Sequence, residues 1–241
     1  MTNTEFIQNV AEALSKYNQI YEVRVISPII AQAVLESNFG KSGLSSKYHN
    51  YFGLKCGSKW TGKSVNLTTT EEYTVGTIST IKDNFRVYDS FEEGMLGYFE
   101  FLFRGRDRYN NLKNVYDPYQ YVTNIKNDGY ATDSRYVDKI MNIINLYKLT
   151  EYDSSSFLKR NVKVWVNTPY NGKDEWYRLG LDGTMIKGRF AIVDGKKYYF
   201  DSTGKMLTGF QKIDGRYYFF LESGSMIKTN KSGAASVYTI K

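Results

Sequence analysis

The feature that most restricts the fold of this chain is an internal repeat that begins after residue 150. Methionines recur there at spacings of 21 and 20 residues, and tyrosines recur with the same spacings. The two series are Met185, Met206 and Met226, each two residues after a glycine (Gly183, Gly204, Gly224), and Tyr177, Tyr198 and Tyr218. A unit of about 20 residues with a glycine turn between two short strands cannot bury its own face, so neighbouring units must stack. We therefore predict that the tail is a solenoid of β-hairpins.

The boundaries of this tail are predicted from turn and linker composition. Asp194-Gly195 and Asp214-Gly215 are dipeptides that favour tight turns just before an aromatic strand. Residues 151–156, with the sequence EYDSSS, have the composition of a linker. The chain is thus predicted to consist of a first domain over residues 1–150, a linker over 151–160 and a repeat domain over 161–241.

The first 150 residues are predicted to be mostly helical, because apolar residues recur there at helical spacing. Amphipathic helices are expected over residues 4–17 and 135–148, and Ser90 with Glu93 forms a capping-box pattern that opens another helix. Residues 60–90 alternate between apolar and polar side chains, which predicts a small antiparallel sheet. The predicted fold class is α+β, with a mostly α domain that carries a small β lobe and precedes the hairpin repeats.

One predicted helix places a carboxylate at the edge of an apolar surface. Ser27 and Pro28 are favourable at a helix start, and Gly40 is favourable at its end. Between them, Glu36 falls beside apolar residues at helical spacing. Burial against such neighbours disfavours the charged form of a carboxyl group, as a general acid near neutral pH requires. Glu36 is therefore a candidate general acid, and a surface glutamate near a helix end is the alternative.

Composition restricts the other kinds of chemistry. The single cysteine, Cys56, excludes an intramolecular disulfide, and the single histidine, His49, leaves too few ligands for a zinc site built on histidines. We therefore expect no metal and no cofactor. A peptidase that uses Cys56 with His49 is an alternative, although a small packing residue is the favoured interpretation of Cys56.

The net charge of +7 is carried mainly by the tail. Residues 1–150 hold 17 Lys and Arg against 16 Asp and Glu, whereas residues 151–241 hold 15 against 9. Such a basic segment attracts polyanions, among them nucleic acid, acidic lipid headgroups and anionic wall polymers. The sequence lacks an arginine-rich run, a helix-turn-helix pattern and zinc-finger spacing, so nucleic acid is not expected as a partner. No apolar run is long enough to span a bilayer, so membrane insertion is not expected either, and the oligomeric state is left open.

Several short motifs in the first 150 residues resemble one enzyme family. AQAVLESNFGKSG at residues 31–43 and HNYFGLK at 49–55 are followed in order by WTG, TEEY, FRVYDS and GYATD. Together they resemble the signature of bacterial peptidoglycan N-acetylglucosaminidases of glycoside hydrolase family 73, and several motifs in the right order are far more specific than one. The resemblance implies a lysozyme-like domain that binds the peptidoglycan glycan strand and cleaves the β-1,4 bond on the reducing side of N-acetylglucosamine.

The same resemblance implies roles for individual residues. Glu36 matches the catalytic acid, Glu72 matches a possible base, and Tyr130 matches a tyrosine that hydrogen-bonds the acetamido group or a reacting water. The implied substrate-binding residues are Asn50, Tyr51, Phe52, Tyr73 and Tyr136. If Glu72 activates water, the two carboxyl groups should lie about 6.5–9.5 Å apart and the anomer should invert; attack by the substrate's own acetamido group is the alternative.

The tail units resemble the cell-wall-binding repeats of choline-binding wall hydrolases, as in GKKYYFDSTGKMLTGF at residues 195–210. This implies aromatic stacking on a choline-bearing or anionic wall polymer, although most tryptophans of the choline cages are replaced here. The expected wall-binding residues are Trp176, Phe190, Tyr198, Phe210 and Tyr217. For each of them, a role in holding the hairpins together is the alternative.

The sequence as a whole favours a peptidoglycan hydrolase that acts on the bacterial cell wall. MTNTEFIQNV lacks the pattern of a secretion signal, so we expect either a phage endolysin made in the host cytoplasm or a mature fragment of a secreted autolysin. A lytic transglycosylase or muramidase is one alternative, since a transglycosylase also uses one helical glutamate. A wall-binding module on an inactive enzyme is the other.

Overall fold

A computed structural model describes residues 1–74, 77–104, 106–154, 157–158, 165–168, 173–180, 184–229 and 235–237. For residues 70–74, 77–79, 228–229 and 235–237 it describes the backbone alone. The chain divides into two compact units, Met1–Asn161 and Val162–Lys241. Gly183 of the predicted repeat lies outside the described residues, as does most of the predicted linker after residue 154.

The first unit combines helices with one long hairpin, which confirms the predicted α+β class. Its elements are α1 (Asn3–Leu14), α2 (Ser27–Ser37), α3 (Gly43–Tyr48), β1 (Ser64–Thr74), β2 (Thr77–Arg86), α4 (Phe91–Phe103), a 3-10 helix (Asp107–Leu112), α5 (Pro118–Asn127), α6 (Tyr136–Leu146) and a second 3-10 helix (Leu149–Asp153). Strands β1 and β2 pair antiparallel from Ser64 with Arg86 to Glu71 with Ser79, and their register shifts between Glu71 and Thr74. At the start of α4, Ser90 accepts from the N–H of Glu93 as predicted, but Glu93 accepts from Asp89.

Helix α2 lies in the core of this unit, and its residues 27–34 are all buried. Its start differs from the prediction, because Ser27 is already helical and does not cap the helix. The Asp153 carboxylate accepts hydrogen bonds from the N–H groups of Ile26 (2.7 Å) and Ser27 (2.8 Å) and from the Ser27 hydroxyl (2.6 Å). The helix is therefore capped from the second 3-10 helix, within residues whose composition predicts a linker.

The other end of α2 also differs from the prediction, because the helix ends at Ser37 rather than at Gly40. Asn38, Phe39 and Gly40 take left-handed φ values of 49°, 56° and 76° in succession, which a helix cannot continue. Gly40 is further required by space, since a Cβ atom there would lie 2.9 Å from the Cε2 atom of Phe6. This turn leaves Glu36, the last residue but one of α2, at the open end of a buried helix.

The second unit is a series of short hairpins. The strand pairs are β3 (Trp165–Asn167) with β4 (Trp176–Arg178), β5 (Arg189–Val193) with β6 (Lys196–Phe200), β7 (Gly209–Ile213) with β8 (Arg216–Phe220), and β9 (Ile227–Thr229) with β10 (Ala235–Val237). The predicted turns at Asp194-Gly195 and Asp214-Gly215 are confirmed, with φ values of 48°, 71°, 49° and 78°. Two consecutive positive φ angles are what a type I′ hairpin turn requires.

Neighbouring repeats are joined by their methionines. The N–H of Met206 donates to the carbonyl of Trp176, and the N–H of Met226 donates to that of Lys197, both at 2.7 Å. A Cβ atom on Gly204 would lie 2.6 Å from the Sδ atom of Met185, and one on Gly224 would lie 2.0 Å from that of Met206. Met185 and Met206 therefore each pack against the glycine of the following repeat, which explains why the two residues recur together.

Within the described residues, no helix has the length and apolar character needed to cross a membrane.

Candidate active site

A cleft of about 720 Å³ opens in the first unit where the end of α2 faces strand β1, helix α6 and the loop at residues 129–133. Its polar lining includes Glu36, Lys55, Thr68, Thr69, Arg108, Tyr109, Tyr130, Asp133, Tyr136 and Lys139. Apolar side chains such as Leu35, Phe52, Leu67 and Phe101 complete the wall. This volume falls in the range of about 300–1,000 Å³ that is usual for ligand sites.

Glu36 projects into this cleft and is exposed there, although α2 is buried up to Val34. The predicted burial of the Glu36 carboxyl against apolar neighbours is therefore not found in the unliganded cleft. One side of the carboxylate is closely approached by the chain, since a Cβ atom on Gly53 would lie 3.4 Å from Glu36 Oε2. Further desolvation of Glu36 has to come from a ligand that fills the cleft.

Tyr136, at the start of α6, is a hydrogen-bond partner of the Glu36 side chain. Its hydroxyl accepts a hydrogen bond from Gln32 Nε2 at 2.9 Å. Burial raises the pKa of Tyr136 well above its ordinary value of 10.0, and the charge of Glu36 and a hydrogen bond with its side chain raise it further. Tyr136 is therefore neutral in the working pH range and serves Glu36 as a hydrogen-bond donor.

Tyr130 lies in the same cleft, in the loop before α6. Its hydroxyl donates to the backbone carbonyl of Phe52 at 3.0 Å, and the Phe52 ring packs against Tyr98 with centroids 4.5 Å apart. Burial raises the pKa of Tyr130 well above 10.0, with smaller contributions from Tyr136 and Glu36. In this structure the Tyr130 proton holds the Phe52–Gly53 turn in place beside Glu36.

Two of the predicted substrate-binding residues do not line the cleft. Asn50 is 1% exposed, and its amide bonds to backbone atoms: Nδ2 donates to the carbonyls of Leu54 and Arg86, and Oδ1 accepts from the N–H of Leu54. Tyr51 is buried against Phe6 and Phe91. These two positions are corrected to supports of the loop that carries Phe52, because their polar and aromatic groups are already used inside the unit.

Glu72 and Tyr73 lie in β1, where the structure describes the backbone alone. Leu67, Thr68 and Thr69 of the same strand line the cleft. Glu72 is three residues further along, which corresponds to about 10 Å of extended chain. Because the register shifts between Glu71 and Thr74, strand alternation does not decide which of the two glutamates faces the cleft. The roles of Glu72 and Tyr73 stay predictions.

The sequence patterns did not indicate the polar residues behind Glu36. Gln32 is 1% exposed, and the hydroxyl of Tyr98 donates to its Oε1 atom at 2.6 Å. Tyr98 in turn lies 3.1 Å from the hydroxyl of Tyr121. The one available signal is spacing, since Gln32 precedes Glu36 by four residues and so lies one turn below it on the same side of α2.

The alternative of a Cys56–His49 peptidase receives no support from this geometry. Burial raises the pKa of the Cys56 thiol above its ordinary value of 9.0, which is the reverse of what an activated thiolate needs. His49 hydrogen-bonds through Nδ1 to the hydroxyl of Tyr51 at 3.2 Å. Among the described residues, no three His, Cys, Asp or Glu side chains are grouped so that they could hold a metal ion.

In the second unit, the predicted wall-binding residues differ in exposure. Phe210 and Tyr217 are 66% and 63% exposed, and their rings stack with centroids 5.2 Å apart. Tyr198 is instead buried against Trp165, so this position is corrected to a core residue of its hairpin. Phe190 is half-buried, and the Lys197 ammonium group lies 4.3 Å from the centroid of its ring. Trp176 is 36% exposed.

Comparison with known proteins identifies the family of the first unit. The family model for mannosyl-glycoprotein endo-beta-N-acetylglucosaminidase, or glucosaminidase, matches residues 11–149, which is more than half of the chain. The chain belongs to the glucosaminidase family. Beyond this glucosaminidase domain, residues 188–206 and 208–226 match a cell wall binding repeat.

Named relatives of this domain are an exo-glucosaminidase and peptidoglycan hydrolases. The exo-glucosaminidase LytG of Bacillus subtilis is 32% identical over 184 residues, which cover 73% of this chain and 64% of LytG. The peptidoglycan hydrolase FlgJ of Pseudomonas aeruginosa is 39% identical over 120 residues, which cover 48% of this chain and 30% of FlgJ. A crystal structure of a peptidoglycan hydrolase mutant from Sphingomonas sp. A1 superimposes with a TM-score of 0.55 at 30% identity and covers 63% of this chain and 97% of that one. The chain thus spans less than two thirds of the length of either curated relative.

Proposed function

We propose that this chain is a peptidoglycan hydrolase whose glucosaminidase domain cleaves the β-1,4 bond on the reducing side of N-acetylglucosamine. The observation that carries the proposal is the position of Glu36, which is the exposed carboxylate at the end of an otherwise buried helix, beside Tyr136 in a cleft of about 720 Å³. The names of LytG and FlgJ support both the sugar and the polymer.

In the proposed reaction, Glu36 protonates the leaving glycosidic oxygen. A glycan strand that fills the cleft displaces water from around Glu36 and so favours the protonated carboxyl that a general acid needs. Water adds to the anomeric carbon as the glycosidic bond breaks, and Glu72 is the proposed base that takes the proton of this water. If the Glu72 carboxyl lies beyond about 9.5 Å from Glu36, attack by the acetamido oxygen of the substrate replaces the base.

The decisive test is the analysis of new reducing ends in purified peptidoglycan digested by the wild type and by Glu36→Gln. We expect new N-acetylglucosamine ends from the wild type and at least a hundredfold lower rate in Glu36→Gln, because loss of a general acid removes about 10²–10⁴ in rate. Glu12→Gln is the matched control, since Glu12 is an exposed helical carboxylate outside the cleft lining.

Other products would contradict the proposal in defined ways. New muramic acid ends would indicate a muramidase, and 1,6-anhydro ends would indicate a lytic transglycosylase. Equal rates for the wild type and Glu36→Gln would exclude Glu36 as the acid, and no digestion by either protein would favour a wall-binding module on an inactive enzyme.

We propose that the second unit anchors the enzyme to an anionic wall polymer. The stacked pair Phe210 and Tyr217 supplies an exposed aromatic surface for sugars or polyols. At the equivalent place one repeat earlier, Lys197 lies over Phe190 and already occupies the ring face that a quaternary ammonium group would use. The chain's own cations therefore favour a polyanion over a choline-bearing ligand.

A further inference from the structure

Four side chains behind Glu36 form an uninterrupted series of hydrogen bonds across four helices. The hydroxyls of Tyr121 (α5) and Tyr98 (α4) are 3.1 Å apart, Tyr98 donates to Gln32 Oε1 at 2.6 Å in α2, and Gln32 Nε2 donates to Tyr136 at 2.9 Å in α6. All four residues are at most 2% exposed. The series ends at the cleft, where Tyr136 and Glu36 are neighbours.

The direction of every bond in this series follows from the number of protons available. Each tyrosine hydroxyl has one proton, and an ionised carboxylate can only accept. When the Tyr136 proton is donated to Glu36, Tyr136 has to accept from the Gln32 amide nitrogen. The amide oxygen then faces Tyr98, so Tyr98 donates to it and has only lone pairs left for Tyr121, which donates its own proton. All the donors therefore point toward Glu36.

While Glu36 is ionised, the Gln32 amide cannot reverse without breaking the series. If its oxygen and nitrogen exchanged places, the oxygen would face Tyr136, which would then have to donate to Gln32 and would have no proton for Glu36. Buried polar groups without a partner are strongly unfavourable, so a fully satisfied series holds its members in one arrangement. A glutamine in the middle of an otherwise apolar buried helix is explained by this requirement.

We propose that Gln32 is a positioning residue that aims a one-way series of hydrogen-bond donors, from Tyr121 through Tyr98 and Tyr136, at the Glu36 carboxylate. This inference rests on the proposed role of Glu36 as the acid. The series holds the carboxylate in one orientation in the cleft and stabilises its ionised form, because a hydrogen bond donated to a carboxylate favours the charge. It thereby sets the upper pH limit at which Glu36 still carries the proton that the leaving oxygen receives.

Other charged and titratable groups also face Glu36 and are unchanged by substitutions in this series. They are Lys55 beside the Phe52 turn, Arg108 and Tyr109 from the first 3-10 helix, Tyr130 and Asp133 in the loop before α6, and Lys139 on α6, which is paired with Asp133. A change of the pH profile in Gln32 or Tyr98 variants is therefore specific to the series, because neither side chain carries a charge near neutral pH.

The test measures the pH dependence of glycan cleavage and, separately, the titration of the Glu36 carboxyl by carbon NMR of the full chain. In Tyr136→Phe, Gln32→Met and Tyr98→Phe, the alkaline limb of the rate profile and the NMR midpoint should both move to higher pH. We expect a shift of about one pH unit for Tyr136→Phe, because the loss of a hydrogen bond to a charged group changes its pKa by about that amount. The shifts should be smaller for the two variants further from Glu36. Tyr17→Phe is the matched control, because Tyr17 is a buried tyrosine that packs against Phe99 and does not line the cleft.

The outcomes separate this inference from the proposed function. Unshifted profiles and midpoints in all three variants would overturn the inference, and a shift confined to Tyr136→Phe would remove Gln32 from it. A shift in Tyr17→Phe as large as in the other variants would mean that any loss of packing has this effect. If Glu36→Gln were as active as the wild type, the proposed function would fail, whereas the NMR midpoints would still decide whether the series acts on Glu36.

Discussion

Gln32 and Tyr136 are 104 positions apart in the sequence and yet share a hydrogen bond of 2.9 Å behind Glu36. Glu36 itself is a residue that sequence patterns can indicate, because its motif is distinctive and its helix is strongly apolar. Its partners are different, since a tyrosine or glutamine inside a helix looks the same whether it packs or donates to a site. At the scale of residues, the side chains behind Glu36 therefore come from distant parts of the chain.

Two adjacent glutamates of β1 offer a direct test of the second carboxylate. Glu72→Gln should lower the cleavage rate by about 10²-fold or more if Glu72 is the base, because general bases contribute about 10²–10⁴ in rate. Glu71→Gln, one residue away in the same strand, should stay close to the wild type. The measurement is the rate of release of reducing ends from peptidoglycan at equal enzyme concentration.

Other results would change the mechanism in a defined way. A loss confined to Glu71→Gln would mean that the register shift in β1 turns Glu71 toward the cleft. Full activity of both variants would favour attack by the acetamido group of the substrate.

Several of the residues that the sequence predicts for the site share one cleft, although not every residue of a motif does. Glu36, Phe52, Tyr130 and Tyr136 do line one cleft. Asn50 and Tyr51 belong to the same motif as Phe52 but face into the unit. A motif records which residues occur together, and a loop beside a catalytic acid needs internal supports as much as it needs contacts with a ligand.

At the scale of elements, α2 depends on a residue that follows it by more than a hundred positions. The N–H groups of Ile26 and Ser27 at its start would be unpaired without the Asp153 carboxylate. The local sequence predicted a helix here correctly but assigned the cap to Ser27. An N-cap that comes from a distant segment leaves no trace in the sequence around the helix, so sequence patterns could not have indicated it.

The Asp153 contact can be separated into its hydrogen bonds and its charge. Asp153→Ala should lower the free energy of unfolding by about 1–3 kcal/mol, because it leaves buried donors unpaired, whereas Asp153→Asn keeps an acceptor oxygen and should lower it less. Burial raises the pKa of Asp153 above its ordinary value of 3.8, against the opposing effect of hydrogen bonds from Ser27 and Ile26. A raised pKa in the folded state favours the protonated form of Asp153. The stability that comes from this pKa shift is therefore present at low pH and is lost as pH rises through the folded-state pKa.

Urea unfolding of the full chain, followed at neutral pH and at about pH 4, measures both effects. The stability of the wild type relative to Asp153→Asn should increase toward the lower pH. A decrease would mean that the ionised carboxylate is the favoured form at the start of α2 and that the helix dipole outweighs burial there.

For the whole molecule, the predicted division of labour assigns catalysis to the first unit and anchoring to the second. Replacement of both Phe210 and Tyr217 by alanine should weaken binding of the full chain to purified cell-wall sacculi about tenfold, since stacked aromatic contacts are worth about 0.5–1.5 kcal/mol. Ile192→Ala is the matched control, because Ile192 is 55% exposed but has no ring. Sedimentation of the bound protein gives the affinity.

The nature of the wall ligand follows from the same assay with two additions. Binding through the basic tail should weaken as NaCl is raised, because salt screens exposed charges. Free choline should leave the protein bound. Release by choline without an effect of salt would instead assign the repeats to the choline-binding form and contradict the anionic ligand.

The contact between each methionine and the next glycine has a consequence for how the tail can change its length. Met185 packs on Gly204 and Met206 packs on Gly224, so successive contacts between repeats are made by the same two residue types. In a linear stack, each unit contacts only its neighbours, and stability is approximately a sum over units and joints. After a duplication or deletion of one repeat, the new neighbours would again meet through a methionine and a glycine. The number of wall contacts can therefore vary between descendants of this chain without any change in the catalytic unit.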